Sequence, residues 1–162
     1  MDLIFSYAWV LFIGVTVINY FIIKSRVQEH IDKNPDLKAG YDQILKAMLI
    51  YGTIPWLIMA IGSLTGLTNS VYDYLHPRTL NPVVLLFTLY IIVLWMLAAR
   101  WIYFKNGADL LARHPGVFTI RGFGSNSVTS TMIKIVFALA LLGGIVGMTL
   151  MWLTDLPAFP MK

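Results

Sequence analysis

Residues 47–72 read AMLIYGTIPWLIMAIGSLTGLTNSVY, 26 positions without a charge. As a helix rising about 1.5 Å per residue, such a stretch crosses a hydrocarbon core about 30 Å thick. It is apolar all round, whereas a helix of a soluble bundle keeps a polar face for solvent. Three more uncharged runs, at residues 3–23, 81–99 and 135–154, each have 19 or more positions. None shows the alternating segments of about ten residues that a transmembrane barrel requires. The sequence predicts an all-α integral membrane four-helix bundle, one transmembrane domain over residues 1–162 with spans at about 3–23, 44–67, 83–104 and 132–153.

Composition agrees with that reading. The chain is 58% hydrophobic and 12% charged, where a soluble domain carries about a quarter charged residues. Residues 1–6 lack a positive leader and no small-residue cleavage signal follows the first run, so it reads as a retained span. The absence of cysteine excludes disulfides, thiol catalysis and thiolate-held metals within this chain.

The placement of charge orients the bundle. Lys24, Arg26, Lys33, Lys38 and Lys46 flank the connection between the first two spans. Arg100, Lys105, Arg113, Arg121 and Lys134 flank that between the last two, leaving Arg78 and Lys162 on the opposite side. The positive-inside rule makes the two basic segments, at about 24–43 and 105–131, cytoplasmic. Both termini then lie outside (N-out/C-out). Topology and anionic headgroups account for the net charge of +4, so no nucleic-acid partner is needed.

Local signals divide the chain further. The first span is expected to continue as helix to about Lys33, with Asn34-Pro35 as cap and first position of the next helix. Tyr7, Trp9, Tyr72 and Tyr74 are expected in the outer aromatic belt. Pro82 opens the third span and Asn106-Gly107 stops it. Residues 108–113 suggest an interfacial helix with Leu110 and Leu111 towards lipid, and Ser130 or Thr131 a cap for the fourth span. Residues 121–127 form a Gly/Ser loop with no preceding strand and no GK[ST], which argues against nucleotide binding.

The segments NPDLKAGY (34–41), GTIPWLIMAIG (52–62) and WIYFKNGADLLARHPG (101–116) resemble a group of bacterial four-helix inner-membrane proteins with no assigned activity. The resemblance covers most of the chain. It implies a multi-pass protein of the bacterial cytoplasmic membrane and supplies no catalytic residues.

Polar residues inside spans are the candidates for a site. Pro55 has no amide hydrogen, so the Tyr51 carbonyl loses its helical partner, and in lipid that group needs another. Asn19, Tyr51, Thr53 and Arg100 lie at similar depths in the cytoplasmic third. They form a candidate inner polar cluster in which Asn19 would satisfy Tyr51 and Arg100 would hold an anionic group. The bland reading is that Asn19 bonds its own helix and Arg100 snorkels to phosphates. Small residues at four-residue spacing, Gly62/Gly66, Ala140/Gly144 and Gly143/Gly147, are candidate helix-packing positions.

Other chemistry is weakly signalled. His30, His76 and His114 lie outside the spans, which excludes an intramembrane bis-histidine haem within this chain. No Asp or Glu lies within a span, against a carboxylate-driven transporter. No catalytic residue, metal or cofactor is expected. The expectation is a non-enzymatic accessory, scaffold or assembly partner, in contact with membrane lipids and with itself or another membrane protein. The alternatives are a small oligomeric channel or transporter, and a lipid- or quinone-binding subunit of a membrane enzyme.

Overall fold

A computed structural model describes residues 2–118 and 128–154. In chain order it contains α1 (Asp2–Ser6), α2 (Ala8–Lys33), a 3₁₀ turn (Pro35–Leu37) and α3 (Lys38–Leu64). Two further 3₁₀ turns (Val71–Leu75 and Pro77–Thr79) lead to α4 (Pro82–Phe104), α5 (Gly107–Arg113) and α6 (Ser130–Leu153). Among the described residues there is no strand. Four helices, α2, α3 with its preceding turn, α4 and α6, are long and apolar enough to cross a membrane. The loop at 121–127 and everything from residue 155 lie outside the described residues.

The basic ends of these helices gather in one core. Val27 of α2, Tyr41, Ile44 and Leu45 of α3, Ile102 of α4, Ala108 and Leu111 of α5 and Ile133 of α6 pack there with Val117. Tyr41 is fully buried, and its hydroxyl donates to the Pro115 carbonyl at 2.8 Å. His114 stands edge-on to the Tyr41 ring, with Nδ1 2.6 Å from the Leu110 carbonyl. Gly40 is required beneath that imidazole, because a Cβ there would overlap Nε2. The short helix α5 therefore belongs to the protein interior. Leu111 is buried and Leu110 packs against the same core, contrary to the lipid-facing placement expected for both.

A second core lies at the far end. It joins Ile58 and Met59 of α3, Tyr74, and Val83 and Val84 of α4, with Trp9 and Phe12 of α2 packed against it. The chain reverses over a turn built by Asp73, whose Oδ2 accepts from the backbone of Asn69 (2.6 Å) and Ser70 (3.2 Å). Ser70 completes the capping box by accepting from Tyr72 N. Asn81 then caps α4, accepting from Val83 N at 3.0 Å, and Pro82 fills the first helical position.

Several boundaries differ from expectation, each for a local reason. Helix α3 stops at Leu64 rather than near 67 because Gly66 adopts a φ of +71°, a left-handed conformation that ends helices. Asn34 separates α2 from the next turn, but its side chain makes no cap bond. Thr129, one residue before the expected Ser130 or Thr131, caps α6 by accepting from Met132 N. Tyr74 leaves the aromatic belt for the far-end core, and the Trp9 indole nitrogen is buried without a partner among the described residues.

Helix α6 is the least buried of the four membrane-length helices. Ile133 is its one buried residue. Its basic end is held by that side chain and by the Tyr103 hydroxyl, which donates to the Lys134 carbonyl at 2.8 Å. Near its far end it meets the Pro77–Thr79 turn.

Candidate functional site

Pro55 removes one rung of the α3 ladder, and the group it strands is the Tyr51 carbonyl. The Tyr90 hydroxyl of α4 donates to that carbonyl at 2.9 Å. Asn19 does not take this role. It lies on the outer surface of α2, and no hydrogen bond reaches its side chain among the described residues. Arg100 is likewise exposed, without a partner among those residues. Thr53 turns back on its own helix, donating to the Leu49 carbonyl at 2.6 Å. Of the four candidates, only Tyr51 lines the groove of about 360 Å³ between α3 and α4, which it shares with Gln43, Ala47, Leu97 and Trp101. The expected convergence of Asn19, Tyr51, Thr53 and Arg100 is not the arrangement described. The freed carbonyl is answered by an aromatic hydroxyl that the depth argument overlooked.

A hydrogen-bonded join between α2 and α3 lies one turn farther along. Trp56 Nε1 donates to Thr16 Oγ1 at 3.1 Å, and the Trp56 ring stacks on Phe12 at 4.4 Å between centroids. Thr16 Oγ1 in turn donates to the Phe12 carbonyl at 2.8 Å. A Cβ on Gly52 would sit 3.5 Å from the Thr16 methyl.

The six small packing candidates have different surroundings. Gly62 is buried, and a Cβ there would collide with the Tyr74 hydroxyl and with Thr68 Oγ1 at 2.6 Å. Its missing side chain makes room for the outer turn. Gly66 faces open space and serves as the helix stop. Gly144 receives the Trp95 ring of α4, with ring carbon 2.6 Å from its hypothetical Cβ. Gly143 and Gly147 would meet nothing within 4 Å, and Ala140 is exposed. Among the described residues, no paired small-residue seam joins α3 and α6.

Where α6 stands away from the other helices, an apolar cavity of about 370 Å³ opens. Phe12, Trp56, Phe87, Trp95, Met148 and Met151 supply much of its wall. The polar groups around it are mostly committed elsewhere. Thr88 Oγ1 donates to the Val84 carbonyl at 2.9 Å, Tyr74 Oη meets Thr68 Oγ1 at 3.3 Å, and Trp56 is bound to Thr16. The Trp95 indole N–H is the exception, with no partner among the described residues. Trp95 and Met148 also line a neighbouring groove of about 490 Å³ between α4 and α6, so they stand at the mouth of the cavity.

Sequence reasoning placed the ligand candidate in the basic half of the bundle and packing in the far half. The cavity lies in the far half. The available signal was aromatic residues too deep for the interfacial belt, since Trp95 is 13 positions into α4, about 20 Å at the helical rise. Among the described residues, no group of three or more His, Asp or Glu side chains could hold a metal ion. The two larger concave surfaces, on either side of Trp95 and Met148, are lined almost wholly by apolar side chains. No protein-family model, no curated protein and no solved structure matches the chain.

Proposed function

We propose that this chain is a multi-pass protein of the bacterial cytoplasmic membrane, basic end inward and both termini outward, acting as a non-enzymatic assembly partner for another membrane protein. The observation that carries this reading is α6. It is membrane-length, yet Ile133 alone of its residues is buried. Ala140 and Gly143 sit on a stretch that the other described residues leave uncovered. Helix association in lipid rests on close backbone approach, which small residues permit. The cluster of Lys24, Arg26, Lys33, Lys38, Lys46, Lys105 and Arg113 around the basic end supports the orientation.

The test is site-specific photocrosslinking in the intact membrane, with the probe at Gly143 of α6 and, as control, at Ile18 on the exposed surface of α2. A discrete heterologous membrane protein trapped from position 143 and not from 18, and lost when Ala140→Leu is added, is the expected result. Crosslinks to lipid alone from both positions overturn the reading. A ladder of identical copies replaces it with the oligomeric channel or transporter. Fusing reporters to either end of the chain tests the orientation independently.

A further inference from the structure

We propose that the far-half cavity holds one hydrocarbon chain of a membrane lipid, admitted sideways between α4 and α6 past Trp95 and Met148. Protein interiors are close-packed, with few voids larger than a water molecule. A space of about 370 Å³ lies instead in the range of small-molecule sites. Its wall selects the occupant. The hydroxyls of Thr88 and Tyr74 and the Trp56 N–H all have protein partners. Water needs two to four polar partners to settle in such a space, and a wall of aromatic rings and methionines leaves it none beyond the Trp95 N–H at the mouth. An apolar chain loses nothing by entering and gains dispersion contacts with the rings and methionines that line the space.

The shape decides between a lipid chain and a partner's helix. A helix with its side chains is about 10 Å across and must run the full depth of the bilayer. The cavity is roofed at its far end by Leu75 and Pro77, in and beside the turn that packs on both α4 and α6. A transmembrane helix cannot pass beneath that roof. A flexible chain can end there. The lateral route is apolar as well. The groove outside the mouth is lined by Ile92, Met96, Leu141 and Ile145.

The experiment uses the full chain reconstituted in phosphatidylcholine whose acyl chains carry bromine, a short-range quencher of indole fluorescence. The signal of Trp56 is isolated by replacing the other four tryptophans with Phe. Trp56 should be quenched, and the quenching should outlast a tenfold dilution into unbrominated lipid that abolishes quenching of a matched protein retaining only Trp152. Native mass measurement should find one lipid per chain after mild detergent extraction. Gly147→Phe places a ring in the cavity from a position where a Cβ meets nothing within 4 Å. That variant should lose the retained lipid and the persistent quenching, and should melt higher than the wild type after delipidation. Quenching of Trp56 that follows bulk lipid composition overturns the proposal, as does undiminished lipid retention in Gly147→Phe. If Gly147→Phe does not fold, Met148→Phe at the mouth gives the same readout without adding an indole. A dimer mass with no lipid would assign the space to a second copy and also overturn it.

Discussion

The Tyr90 hydroxyl of α4 meets the Tyr51 carbonyl of α3 at 2.9 Å, across the rung that Pro55 removes. One helix thus repairs the hydrogen-bond ladder of another. An unpaired carbonyl in lipid has no water to turn to. Tyr90→Phe should destabilise the fold by about 1–2 kcal/mol, the usual cost of leaving a polar group unpaired away from water. In a Pro55→Ala background the residue-55 amide can bond the Tyr51 carbonyl itself, and Tyr90→Phe should then cost close to nothing. Unfolding free energies of the four proteins in mixed micelles measure the coupling. Equal costs in both backgrounds would show that the hydroxyl does not serve this carbonyl.

Gly40 lies under the His114 ring so closely that a methyl group would occupy the place of Nε2. Gly40→Ala should therefore destabilise the basic end by roughly 1–3 kcal/mol, as overpacking typically does. His114→Ala alone should also be destabilising, through the lost Leu110 and Tyr41 contacts. The double variant should be more stable than the sum of the two losses predicts. Strict additivity would contradict the contact.

Gly62 and Gly66 share a four-residue spacing but should fail differently. Gly62→Ala pushes on the Tyr74 hydroxyl, so Tyr74→Phe should relieve part of its cost. Gly66→Ala imposes a side chain on a left-handed backbone, with a cost of about 1 kcal/mol that Tyr74→Phe leaves untouched. Thermal melts of the single and double variants separate the two mechanisms.

Tyr74 also predicts how stability responds to alkali. Burial lifts its phenol above the ordinary value of 10.0, the neighbouring Asp73 charge adds to the rise, and the Thr68 bond opposes it. The folded protein thus holds this proton more tightly than the unfolded chain. The stability linked to it is complete below pH 10 and is lost as pH climbs through the raised value. Tyr74→Phe should flatten that alkaline loss in a pH series of melting temperatures. Parallel declines of the two proteins above pH 10 would place the titration elsewhere.

The membrane-length helices were readable because lipid sets two demands, length and apolarity, that leave a plain mark on a sequence. Turn chemistry was readable where a residue has one dominant use, as with Pro82 opening α4. Facing was not readable. In a span that is apolar all round, nothing in the periodicity tells which side turns inward. Depth alone therefore pointed to Asn19 for the Tyr51 carbonyl and passed over Tyr90, and rotation about the helix axis gave the bond to Tyr90. The glycines were ambiguous for the same reason. Gly62, Gly66 and Gly144 are identical letters at similar spacings, yet one admits a hydroxyl, one ends a helix and one seats an indole. Leu111 looked lipid-facing because an apolar residue suits a membrane surface and a small soluble core equally well.

The order in which the helices pack matches the order in which a ribosome would deliver them. Helix α3 lies against α2, α4 against α3, and α5 against α4, so each arrival finds its neighbour already made. Loop closure between such neighbours is short-range, which favours rapid assembly. Helix α6 comes last, touching α5, α4 and the far turn. Its docking is thus the step that completes the wall beside Trp95, and whatever occupies that space at that moment is held between α4 and α6.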